Sequence, residues 1–186
     1  EQDDRRRSVH SFDEGGNVML CGSFTKTLAP GIRLGWVAAG RWHAQVQRMK
    51  ASTSGGQSTV LELAVAELLG QTGIESGYRR LRTTIAARVD EAREIIAQSF
   101  PRGTRVTDPP GGFILWAEFP EGVDTLELWR RCLDERICFA PGNMFSASDR
   151  FGRFARFGVG GRWDDAQRAA LRRIGELATG MLEGAS

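Results

Sequence analysis

The strongest constraint in this sequence lies just after Gly73, where Ile74, Tyr78, Leu81, Ile85, Val89, Ala92, Ile96 and Phe100 recur at intervals of three or four residues. Arginines and acids lie between them. That spacing predicts a single amphipathic helix of roughly seven turns, which Pro101 ends. A helix this long usually runs from one packing unit into another, so the chain is expected to divide near its start. The expected parts are residues 1–73, a linking helix at 74–103, and a smaller unit at 104–186.

Short apolar runs and helical periods alternate on both sides of this helix, which points to the α/β class. Val18 to Cys21, bounded by Gly15-Gly16 and Gly22, reads as a buried strand, and Leu34 to Ala39 as a second strand. A helix follows from Arg41 to Lys50 with Trp42, Val46 and Met49 on one face. Ser52 to Ser58 then reads as a loop and Val60 to Leu69 as a mostly buried helix. Beyond Pro101 the expected order is strand Thr104–Thr107, a turn at Pro109 to Gly112, strand Phe113–Phe119, helix Thr125–Arg136 and strand Ile137–Ala140. A Pro141-Gly142 turn, strand Phe154–Val159 and helix Asp164–Met181 complete it, the last with Leu171, Ile174, Leu177 and Met181 inward.

Composition narrows the function classes. A chain of 186 residues that is 41% hydrophobic, with ten Phe and five Trp, can bury a core, and it contains no apolar run of membrane-spanning length. Twenty-five basic against twenty-three acidic residues leave a net charge of +2, which makes no electrostatic case for nucleic-acid binding by this segment. Three cysteines without a CxxC pair and only two histidines offer neither a disulfide framework nor a metal cluster. Cys132 and Cys138 read as buried small hydrophobes, Trp116 and Trp129 as core, and His10 and His43 as surface residues without partners. The start of the chain has no signal peptide and no initiator Met, so the chain is expected to be processed or part of a longer one. The expected location is the cytoplasm.

Only Lys26 and Lys50 are lysines; the other basic residues are arginines. Arginine cannot supply a deprotonatable amine, so a retained lysine in an unusual context is a chemical candidate. Lys26 lies in the run Gly22-Ser23-Phe24-Thr25-Lys26-Thr27-Leu28-Ala29-Pro30-Gly31-Ile32-Arg33-Leu34-Gly35-Trp36. This is an apolar strand ending in hydroxyls and an amine, followed by a Pro-Gly turn and an arginine. Ligands of open α/β sheets sit beyond the carboxyl ends of strands. Ser23 offers a hydroxyl and Arg33 a planar charged fork, both suited to phosphate, and Lys26 is a candidate Schiff-base amine. Together these groups describe a site for an aldehyde that carries a phosphate.

This run resembles the lysine motif of fold-type I pyridoxal-phosphate enzymes, the aspartate aminotransferase superfamily. With Leu-Ala-Pro-Gly between lysine and arginine it is most similar to the aminotransferase-like domains of MocR regulators, within the GntR transcription factors. The likeness extends to Pro110-Gly111-Gly112-Phe113-Ile114-Leu115-Trp116-Ala117-Glu118-Phe119-Pro120, to Ala140-Pro141-Gly142-Asn143-Met144-Phe145-Ser146, and to Phe154-Ala155-Arg156-Phe157. The resemblance implies Lys26 as the Schiff-base lysine, Ser23 and Arg33 as phosphate ligands, Arg156 as the clamp for a substrate carboxylate, and no metal. It differs at Thr25, where the family more often has Ser, and at Phe157-Gly158, where Leu-Asn is usual. Before Trp163 the usual Pro is missing. These departures bear on substrate handling more than on cofactor attachment.

In the family, the aspartate facing the pyridine nitrogen, a tyrosine and the ring-stacking residues precede the lysine, most of them far upstream. Only twenty-five residues precede Lys26 here, and Asp3 and Asp4 lie too close to it. The resemblance therefore implies the C-terminal part of a fold-type I transferase: the end of a large α/β domain and a small C-terminal α/β domain. Alone, such a part is expected to bind cofactor weakly and to be inactive. The implied function is the pyridoxal-phosphate-binding, effector-sensing domain of a MocR-type regulator. Its ligand would be an amino acid or amine, homo-oligomers are expected, and it would reach DNA only through a separate domain. The alternatives are a stand-alone class I/II aminotransferase and a cofactor-free domain kept for dimer contacts.

Overall fold

The computed structural model describes residues 7–184, and Asp3 and Asp4 lie outside them. The chain divides into two compact units, Glu1–Tyr78 and Arg79–Ser186.

In the first unit a two-stranded antiparallel sheet, β1 (Leu20–Ser23) and β2 (Gly35–Ala38), pairs Leu20 with Ala38 and Ser23 with Gly35. Helices α1 (His43–Thr53) and α2 (Thr59–Gly70) follow. Strand β1 begins at Leu20 rather than at Val18, because both backbone groups of Val18 are already engaged. Its N–H donates to the Asp13 carboxylate at 2.6 Å, and its carbonyl accepts from His10 Nδ1 at 2.9 Å. His10 therefore has a partner, contrary to the sequence reading. The Val18 N–H, with help from Gly15 and Asn17, holds the Asp13 carboxyl below its ordinary value, against partial desolvation.

The apolar stretches of this unit are far less buried than their composition predicts. In α2 only Val65 is buried, whereas Val60 and Leu63 are 76% and 67% exposed; Met49 of α1 is exposed as well, and so are Met19 and Cys21. Among the described residues β1 and β2 pair only with each other, so no further strand extends this sheet.

The second unit is better packed. The long helix α3 (Ile74–Ser99) forms as predicted and buries Val89, Ala92, Ile95 and Ile96. Strands β3 (Arg105–Val106), β4 (Ile114–Glu118), β5 (Ala140–Pro141) and β6 (Phe154–Gly158) form an antiparallel sheet in the order β3-β4-β6-β5. Helices α4 (Thr125–Asp134) and α5 (Asp165–Glu183) complete the unit. Strand alternation sends Leu115, Ala117, Ala155 and Phe157 into the core with Leu128, Cys132, Leu171, Ile174 and Ala178. Fully burying a side chain such as Leu115 or Leu128 contributes roughly 1.5–3 kcal/mol. Asp124 caps α4 by accepting from the N–H groups of Leu126 and Glu127, and Asp164 forms a capping box with Gln167 at the start of α5.

Three expectations are corrected here. Helix α4 stops at Asp134 and β5 starts only at Ala140, because Arg136 takes a left-handed φ of 60° and the Ile137 N–H turns back to the Cys132 carbonyl at 2.8 Å. Cys132 is buried, which pushes its thiol up to about 11, but Cys138 is exposed. Trp116 stands on the sheet face opposite the core, among Phe145, Phe151 and Phe154, with ring centroids 5.4–5.7 Å away.

Side chains link α3 to α5 and to the segment before it. Glu91 accepts from Trp163 Nε1 at 2.6 Å and from Arg168 Nε at 2.6 Å and Nη2 at 3.2 Å. A β-carbon on Gly175 would overlap the Ser99 carbonyl and the Phe100 ring, whereas one on Gly180 of the same helix would meet nothing within 4 Å.

Opposite outcomes are expected at these two glycines. Ala is the better helix former by about 1 kcal/mol, so Gly180→Ala should raise the melting temperature. Gly175→Ala should instead destabilise by about 1–3 kcal/mol through overpacking, and thermal denaturation of the two variants reads the opposite signs. The carboxylate between the helices gives a pH test. Arg168 and then Trp163 hold the Glu91 carboxyl below its ordinary 4.5. A carboxyl lowered in the folded state stabilises above its unfolded value, and that contribution is lost as pH falls through the lower folded value. Glu91→Gln should therefore reduce stability at neutral pH and flatten the decline below about pH 4.5, as measured by urea unfolding across pH.

Candidate functional site

The connection from β1 to β2 is organised by its own backbone. Phe24 N–H donates to the Leu34 carbonyl at 2.9 Å, which closes the base of the loop. The Phe24 carbonyl then accepts from Thr27, Leu28 and Ala29 at 3.3, 2.9 and 3.3 Å, so the chain curls around one oxygen. Thr25 is buried within this curl, and its N–H donates to Ser23 Oγ at 3.3 Å. Lys26 and Thr27 are left exposed on it. A short turn of 3-10 helix, Pro30–Ile32, returns the chain to β2.

The turn ends at Arg33, whose φ of 51° and ψ of 32° place a non-glycine residue in the left-handed region. That conformation costs about 1 kcal/mol and is held by its surroundings: Leu34, the next residue, is buried and its carbonyl closes the loop. The Arg33 side chain is exposed. Two glycines complete the base. A β-carbon on Gly35 would lie 2.8 Å from the Gly22 carbonyl oxygen, and one on Gly22 would overlap the Trp36 indole.

Ser23, Lys26 and Arg33 thus share one connection, with a hydroxyl, a primary amine and a guanidinium all on exposed residues. The chemistry of this donor set fits a phosphorylated aldehyde. A separate open cleft of about 600 Å³ in the same unit, lined by Trp36, Val37, His43, Val46, Lys50 and Glu62 among others, includes none of the three. Within it Lys50 Nζ lies 3.6 Å from Glu62.

Arg156 belongs to the second unit. It projects from β6 opposite Trp116 of β4 and Ala140 of β5, on the sheet face away from the core. Its guanidinium lies over the Phe145 ring at 4.6 Å. At the end of the same face Glu118 accepts from Arg153 at 2.5 Å and pairs with Arg105 at 2.7 Å. The sequence reading missed Phe145, Trp116 and the buried Thr25 as parts of these surroundings. Strict alternation along β4 could have placed Trp116 on the Arg156 face, because Leu115 and Ala117 occupy the other. Among the described residues no group of three or more His, Cys, Asp or Glu could hold a metal ion, and no helix is long and apolar enough to cross a membrane.

The family model for aminotransferase class I and II matches residues 2–171. Two HTH-type transcriptional regulators of Escherichia coli K12 are similar: YjiR is 35% identical over 179 residues, 96% of this chain and 38% of its own length, and YdcR is 33% identical over 167 residues, 90% and 36%. The crystal structure of LysN, an alpha-aminoadipate aminotransferase from Thermus thermophilus complexed with N-(5'-phosphopyridoxyl)-L-leucine, superposes with a TM-score of 0.77 at 26% identity. That match covers 89% of this chain and 43% of LysN. The chain therefore spans less than half the length of each of these proteins.

Relaxing the left-handed residue tests how the connection is held. Arg33→Gly should stabilise the chain by about 0.5–1 kcal/mol in urea unfolding, because glycine adopts this conformation without steric cost. An unchanged or lower midpoint would show that the Arg33 side chain repays the strain.

Proposed function

The chain belongs to the aminotransferase class I and II family, and from that premise we propose that it is the pyridoxal-phosphate-binding, effector-sensing part of a MocR-type transcription regulator. The cofactor reading is supported by the connection between β1 and β2, a strained, hydrogen-bonded loop whose residues include Ser23, Lys26 and Arg33. The regulator reading is supported by the greater similarity to YjiR and YdcR, at 35% and 33% identity, than to LysN at 26%.

When bound, pyridoxal phosphate supplies an aldehyde that condenses with primary amines and a ring that draws electrons from the neighbouring carbon. Ser23 Oγ and the Arg33 guanidinium would bind the phosphate, the latter through its planar fork. Lys26 Nζ would be the amine that holds the group and, once released, the base that moves a proton at the carbon beside the ligand's nitrogen. Arg156 would orient the ligand's carboxylate. In a regulator this chemistry serves recognition: the ligand shifts the populations of the domain's states, and DNA is contacted by a part of the protein other than this chain. We further propose that the protein acts as a homo-oligomer in the cytoplasm, with an amino acid or amine as effector. The exposed apolar faces of β2 and α2 support the oligomer.

The second reading, a stand-alone aminotransferase, draws support from the likeness to LysN. The cofactor claim is tested by mixing the protein at its full natural length with pyridoxal phosphate, reducing with borohydride and mapping the adduct. Labelling should fall on Lys26 and vanish in Lys26→Arg, and labelling of Lys50 would overturn the assignment. Net amino-group transfer with multiple turnovers would favour the enzyme. A ligand-dependent change in affinity for operator DNA would favour the regulator.

A further inference from the structure

On the outer face of the second sheet, β4 presents Ile114, Trp116 and Glu118, and β6 presents Phe154, Arg156 and Gly158. The cations on this face are not equivalent. Arg105 and Arg153 are both held by Glu118, whereas among the described residues Arg156 has no carboxylate within ion-pair distance. Its guanidinium is instead laid on Phe145, which Trp116 braces edge-on at 5.4 Å.

What flanks Arg156 is apolar. Phe145 is 39% exposed, and so is Ile114, which pairs with Gly158 two residues along β6 from Arg156. Position 158 carries no side chain, and a β-carbon there would come to rest 3.7 Å from Ile114 Cδ1. Arg156 therefore stands with an aromatic wall beside it and an open notch floored by backbone and edged by an aliphatic side chain. A further cation, Arg150, lies over Phe151, which packs edge-on against Trp116 on the same face.

We propose that this face selects carboxylate ligands with a bulky apolar, preferably planar, side group over small ones. The inference rests on the reading of Arg156 as the carboxylate-binding residue and adds the class of side chain. The carboxylate pairs with Arg156, and the apolar group covers the Phe145 edge and fills the notch at Gly158 against Ile114. Covering the pair excludes water, which strengthens an ion pair that would be weak on an open surface.

The test is a titration of the 186-residue chain, labelled with nitrogen-15, against acetate and 3-phenylpropionate, following the β4 and β6 amides and the Arg156 side chain. 3-Phenylpropionate should bind at least about ten-fold tighter than acetate. Gly158→Val, which fills the notch without entering the core, should cut the preference for 3-phenylpropionate over acetate to under about three-fold, and Ile114→Asn should narrow it similarly. Arg156→Gln should abolish binding of both. If 3-phenylpropionate binds no tighter than acetate, or Gly158→Val leaves the preference intact, the side-chain inference is overturned while Arg156 keeps its role. If no carboxylate perturbs Arg156, both fall together.

Discussion

A single carboxylate ties the second unit together. Glu91 is carried by α3 but receives its hydrogen bonds from Trp163 and Arg168, at the entry to α5 and in its first turns. Arg88, one helical turn earlier, donates to the Gly161 carbonyl at 2.8 Å and secures the chain between β6 and α5. Gly175 of α5 lies against the end of α3, where a β-carbon would overlap the Ser99 carbonyl and the Phe100 ring. Charge-assisted hydrogen bonds fix which turns face each other, and the absence of side-chain bulk sets how closely they approach.

Other arginines also hold carboxylates. Arg173 bridges Glu135 and Glu176, Arg130 and Arg131 both reach Glu127, and Arg93 reaches Asp108. A planar fork can hold one or two carboxylates in a fixed orientation, which a lysine cannot do as well. Arg156 and Arg33 are held in other ways. Arg156 rests on an aromatic ring, and Arg33 sits in a strained backbone at the end of a loop.

Much of the fold is legible from residue order, and what is not has physical causes. The period of α3 is clear in the residues, and its second half packs one face, Val89, Ala92, Ile95 and Ile96, into a core. The position of β5 is not legible: Ile137 and Phe139 look like strand residues, but the Arg136 turn and the Cys132 carbonyl claim the start of the segment. Val18 looks like strand because hydrophobicity cannot reveal that Asp13 and His10 already occupy its backbone. The apolar helix α2 looks buried because composition reports what a segment could bury, not whether a partner layer lies beside it. In the candidate site the reactive residue types are visible at once as Ser23, Lys26 and Arg33. The curl around Phe24 and the left-handed Arg33 that present them depend on backbone geometry and leave no hydrophobic signal.

The Trp36 ring lying against Gly22 has a consequence for alignment. In an antiparallel pair, slippage by one residue turns every side chain to the opposite face, and a strand with few buried contacts resists it poorly. Here any slip by one would bring Trp36 opposite Cys21 or Ser23, both of which carry side chains where Gly22 carries none. The indole therefore acts as a key that enters only one slot, and it sets how much chain is left to form the loop above. The position of the Lys26 amine is thus decided at the base of the hairpin, ten residues further along the chain.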